Sequence, residues 1–147
     1  MATDQPDPYA LERFVAAQAP VIDAVRAELA AGTKRTHWMW FVFPQLAALG
    51  RSETARLYGI GSAAEAQAYW QHPVLRPRLV QCAALLLPHR ERGAERVLGG
   101  TDALKLRSSL TLFEAVAPDE PMFGRLLDAF YAGQRDAATL DLLARQR

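Results

Sequence analysis

The 147-residue chain has one cysteine, no asparagine, two isoleucines and only two lysines among its 17 basic residues. A single cysteine, Cys82, excludes an internal disulfide and a cysteine-based zinc cluster. Few β-branched residues, set against 47 alanines and leucines, argue for helix and against a sheet. Charge of one sign is missing as well. The 16 acidic residues leave a net charge of +1, which excludes the broad basic face of a protein that binds nucleic acid by neutralising phosphates. The longest apolar runs, Trp38 to Phe43 and Ala83 to Leu87, fall far short of bilayer length. Met1 to Pro8 is polar and acidic, with no basic-then-apolar leader pattern, so a soluble, cytoplasmic protein is expected. Half of the chain is nonetheless apolar and 22% is charged, a balance that suits a folded domain and excludes a disordered one.

The pattern along the chain predicts an all-α fold: a flexible arm over 1–8, then one helical domain over 9–147. About seven to nine short helices are expected from apolar periodicity. Tyr9 to Gln18 carries Leu11, Phe14 and Val15 at helical spacing, and Pro20 restarts a second helix that Ala31-Gly32 ends. Ser52 caps a short helix, and Ser62-Ala63-Ala64-Glu65 is a capping box. Leu75 to His89 is a longer helix that Pro88 shortens or kinks, with Cys82 as a buried thiol on its apolar face. Ala94 to Leu98 follows, then a helix capped by Thr101 or Asp102 and running to Val116. Pro121 to Ala132 and Asp136 to Arg145 complete the set. For the aromatic run at 38–43 the composition favours a helix, with a short extended segment as the alternative.

Two stretches carry chemistry. Lys34-Arg35-Thr36-His37-Trp38-Met39-Trp40 sets cations and a titratable imidazole beside large aromatics. Trp38 is the expected stacking ring, Lys34 an anion contact, and His37 an acid or base near neutral pH. Pro44-Gln45 closes the run and adds a carboxamide. In the second stretch, Asp102, Lys105 and Ser109 fall within about a 60° arc of one helix, with Ser108 about 60° beyond Lys105. An amine near two hydroxyls makes an anion site and, if Lys105 activates Ser109, a nucleophile. The bland alternative is a capping aspartate, an i,i+3 ion pair and serines bonded back to helix carbonyls. His72 and Arg78 flank a helix junction and are candidate partners of the same anion. The three histidines have no metal-ligand spacing, so neither metal nor cofactor is expected.

These residues lie in runs that resemble a bacterial family known as domain of unknown function 1810. The runs are Leu11-Glu12-Arg13-Phe14-Val15-x-Ala17-Gln18, Gly32-x-Lys34-x-x-His37-Trp38-Met39-Trp40-Phe41-Val42-Phe43-Pro44-Gln45, Leu49-Gly50-x-Ser52, Tyr58-x-Ile60, His72-Pro73-x-Leu75-x-x-Arg78-Leu79 and Asp102-x-x-Lys105-Leu106-x-Ser108-Ser109-x-Thr111-Leu112-Phe113. The resemblance implies a small, mostly helical bacterial protein without an assigned activity. Members are sometimes labelled calpastatin, an inhibitor name that implies a long, polar, disordered chain, unlike this composition. The expectation is a single cleft for a small anionic ligand such as a nucleotide or sugar phosphate. In it Lys34, Trp38, Gln45, His72, Arg78, Asp102 and Ser108 would bind, and His37, Lys105 and Ser109 would act. The competing class is a non-enzymatic interaction module whose motifs serve the core and an oligomer surface.

Overall fold

The computed structural model describes residues 6–146. Ten helices carry the regular structure: α1 Glu12–Gln18, α2 Ile22–Ala31, α3 Met39–Val42, α4 Glu53–Leu57, α5 Ala63–Gln71, α6 Leu75–Leu86, α7 Ala94–Leu98, α8 Gly100–Val116, α9 Met122–Tyr131 and α10 Ala137–Arg145. Among the described residues no strand forms; the aromatic run closes into a single helical turn, α3, as its composition favours, and the ten helices stand one above the expected seven to nine. Residues 1–5 of the expected arm lie outside the described residues. Asp7, also placed in that arm, is tied down. Its carboxylate accepts from the amides of Leu11 and Glu12, and those bonds, the Glu12 amide foremost, hold its pKa below the usual range.

Helix ends follow local chemistry. Ser52 accepts from the Ala55 amide and Ser62 from Glu65, two N-caps where the sequence predicts them, and Asp136, expected as the first residue of its helix, caps it by accepting from Thr139. The box at Ser62 is altered, because the Glu65 carboxylate reaches the Gly61 amide and pairs with Arg13 at 2.9 Å. Gly32, in the left-handed region at φ 73°, ends α2. α6 stops at Leu86, and Pro88 falls in a following 3-10 turn. The cap expected at Thr101 or Asp102 is displaced. Gly99 takes that place at φ 92°, a conformation that glycine adopts without strain, so Asp102 lies within the first turn of α8. Its carboxylate is thereby released from capping duty.

α8 is the centre of the molecule, packed against α5, α7, α9 and α10. From Ser108 to Phe113 every residue is buried, as the nearly all-round apolar pattern predicts. α6 lies against α2, α5 and α9 and completes the core. An aromatic series crosses it: Phe14 meets Tyr69 edge-on at 5.1 Å, Tyr69 meets Phe113 at 5.2 Å, and Phe113 meets Phe123 at 6.0 Å. Gln18 is the polar side chain that ties this core together. The buried Gln18 carboxamide donates to the Phe41 carbonyl and the Tyr69 hydroxyl, and accepts from Arg78 at 3.3 Å. One side chain thus joins α1, α3, α5 and α6. Replacing Gln18 with Leu leaves those partners unmet and is expected to cost about 2 kcal/mol of stability, measured by urea unfolding.

Candidate functional site

The site begins at α2. Beyond Gly32 the chain folds back over the last turns of that helix, and Glu28 gathers its donors. Glu28 Oε1 accepts from the amides of Arg35 and Thr36 and from Trp38 Nε1 at 3.0 Å, while Oε2 accepts from Thr36 Oγ1 at 2.6 Å. Burial opposes the charge, but the bonds from Thr36, Arg35 and Trp38 outweigh it and hold the Glu28 pKa at about 2. Trp38 is consequently fixed inside the core at 1% exposure.

Lys34 is held by its own backbone, whose amide donates to the Val97 carbonyl at 2.8 Å. Its ammonium lies 3.0 Å from Asp102 Oδ2 and 5.1 Å from the centre of the Trp38 ring. On the other side of the same carboxylate, Lys105 Nζ is 3.8 Å from Asp102 Oδ1 and 5.2 Å from the Trp40 ring. The only two lysines of the chain therefore meet at one aspartate, each over a tryptophan. The two contacts are unequal. At 3.8 Å the Lys105 pair is beyond hydrogen-bonding reach and is purely coulombic.

Lys105 opens onto a cleft of about 640 Å³. One wall is the α8 face of Thr101, Leu104, Lys105 and Ser108, and the opposite wall is Gln45 with the 49–55 segment. Asp136 and Ala138 close one end. The 45–55 wall is pinned by a parallel bridge between Leu46 and Ile60, in which the Ala47 amide donates to the Ile60 carbonyl and the Ile60 amide to Gln45. Gly59 permits that approach, since a Cβ there would stand 2.4 Å from Ala47 Cα. A hollow of about 10 Å³, large enough for one water, adjoins the cleft through Gln45, Ala55 and Lys105 and is lined by Trp40 and Tyr58.

Comparison with known proteins gives a family and a fold. Residues 8–143 match the family described as "Protein of unknown function (DUF1810)". The chain belongs to this family. The DUF1810 chain is also similar to the conserved hypothetical protein Rv1873 from Mycobacterium tuberculosis, known from a crystal structure, at 51% identity and a TM-score of 0.92. That likeness covers 94% of this chain and 99% of the other. Among curated proteins none matches.

The remaining candidates of this DUF1810 chain divide by position. Gln45, Lys105 and Ser108 line the cleft, and Lys34 and Asp102 stand behind Lys105. Ser109 is buried at 1% exposure with its hydroxyl unpaired, and does not line the cleft. His37 is exposed on the bend before α3 and is not a lining residue either. His72 accepts from the amides of Val74 and Leu75, and Arg78 is bonded to Gln18, so these two serve a helix start and the core. Residues that the sequence does not place in the site include Arg51 and Thr101 in the cleft wall, and Glu28, which holds the Trp38 indole. Burial pushes the Cys82 thiol up to about 11, which keeps it protonated and inert. Among the described residues no group of three His, Cys, Asp or Glu side chains is arranged to hold a metal, and no helix is long and apolar enough to cross a membrane.

Glu28 makes the platform sensitive to acid in a defined window. Its pKa is lowered from 4.5 to about 2 on folding, so its stabilising contribution is complete above pH 4.5 and is lost as pH falls towards 2. Glu28→Gln is expected to destabilise the protein by about 2 kcal/mol at pH 7. The gap from wild type should close between pH 4.5 and 2, as followed by denaturant unfolding across that range.

Proposed function

We propose that the cleft beside Lys105 binds a small anionic metabolite of the nucleotide or sugar-phosphate kind. The observation that carries this reading is the unequal sharing of Asp102. Two ammonium groups face one carboxylate, the nearer is Lys34, and Lys105 is left at the cleft with its charge only partly compensated, while the acidic residue of the lining, Asp136, pairs with Arg107 at 3.7 Å. The lining suits an organic anion. Leu49, Ala55, Leu104 and Ala138 offer apolar surface, while Gln45, Thr101 and Arg51 offer donors, and the volume lies in the range of small-molecule sites. Arginine and lysine bind such groups differently, and a compact ammonium with movable protons suits a phosphate held as a point charge.

The stacking role expected of Trp38 passes in this reading to Trp40, which is half-buried at the hollow adjoining the cleft. This reading asks for binding alone and calls on neither His37, which is exposed, nor Ser109, which is buried. The reading as an interaction module draws on Leu104 at the cleft mouth, 62% exposed. A thermal-shift screen of nucleotides, sugar phosphates and inorganic pyrophosphate separates the two. An anion at a hundred times its Kd is expected to stabilise wild type by about 2.7 kcal/mol. Lys105→Ala should melt within a few degrees of wild type and lose that shift. No response to any anion, together with a strongly destabilised Lys105→Ala, would replace the anion site with the interaction module.

A further inference from the structure

We infer that Lys34 is a positioning residue for this cleft: by neutralising Asp102 from behind, it leaves the Lys105 ammonium available to a ligand phosphate. The inference rests on the anion-binding reading given above and names how that site is tuned.

Lys34 does not meet the ligand. Its side chain is 8% exposed, it lies against the buried Trp38, and it is absent from the walls of the cleft. Its one acidic partner among the described residues is Asp102, through Oδ2 at 3.0 Å. Lys105, 23% exposed, stands off the other oxygen at 3.8 Å. Without Lys34, the full carboxylate charge would fall on Lys105 at close range in a partly desolvated setting, where such attraction is strong. Any incoming anion would then compete with Asp102 for the same ammonium and be repelled by it.

The choice of residue fits this role. An arginine at 34 would present a planar fork that takes both carboxylate oxygens, whereas a lysine engages one and leaves the other facing Lys105. Oδ1 then orients Lys105 without holding it by a hydrogen bond. The Trp40 ring on its other side restrains the ammonium further.

The test is calorimetric titration of the full chain with inorganic pyrophosphate, with melting temperature recorded for each variant. Lys34→Met is expected to bind about tenfold more weakly than wild type, since Asp102 then acts on Lys105 alone. Asp102→Asn is expected to bind about threefold more tightly, and the double variant should return to within about threefold of wild type. Recovery of affinity in the double variant, with Lys34→Met melting close to wild type, is the signature, because relief of an unpaired Asp102 carboxylate in a merely structural role would restore melting temperature and binding together. Pyrophosphate binding by wild type that Lys34→Met leaves unchanged overturns the inference while the site stands. Weaker binding by Asp102→Asn overturns it too, assigning the carboxylate to holding Lys105 in place. Should Lys34→Met not fold, Asp102→Asn decides alone: tighter binding supports the inference, and equal or weaker binding overturns it. A wild type that binds no pyrophosphate removes the anion site and the inference together.

Discussion

Four donors converging on the Glu28 carboxylate set the course of the chain between α2 and α3. Three of them come from residues 35 and 36, so the carboxylate shapes the turn, and the fourth is the indole of Trp38. A buried carboxylate without such partners would be strongly unfavourable; with them it is a rigid template. The turn it imposes puts Lys34 beside α7 and Trp38 under the lysine side chain. Lys34, which pairs with Asp102 behind Lys105, inherits its position from that template.

The electrostatics follow from this placement and from Gly99. Because α8 starts on a glycine, Asp102 does not cap the helix and serves side chains instead. It carries one negative charge for two ammonium groups, at 3.0 and 3.8 Å. The near-zero net charge of the chain therefore coexists with a local surplus of positive charge. A compact excess of this kind is invisible to composition and is where small-anion recognition differs from binding a polyanion.

Much of the fold is legible in the sequence because its signals are local. Ser52, Ser62 and Asp136 cap the helices they precede, Gly32 ends α2, and Pro88 stops α6. The site is less legible, because its faces are chosen by distant partners. Trp38 immediately precedes α3 and Trp40 lies within it, and the two rings take different sides, one buried and one half-buried. Which one is buried depends on Glu28, ten residues upstream of Trp38. Similarly, the cleft runs along Thr101, Leu104, Lys105 and Ser108, a regular stripe of α8. An arc through Asp102, Lys105 and Ser109 is equally regular, and only the packing of the 45–55 wall selects the first stripe. His37 borders the aromatic run in sequence, yet a backbone bend turns it to the surface. The Thr101 or Asp102 cap fails for a local reason, since Gly99 supplies a conformation that no other residue takes easily.

The Lys34–Asp102 pair joins the first third of the chain to its last third. The walls of the cleft are likewise drawn from three separate stretches, around residues 45–55, 101–108 and 136–138. Closing such distant loops costs entropy before any contact repays it, so these are late events on the way to the native state. The helices can form early from neighbouring residues, but the cavity exists only once the whole chain has closed around α8. A nascent or partly unfolded copy has no such pocket, so any ligand of the cleft would meet only the completed fold.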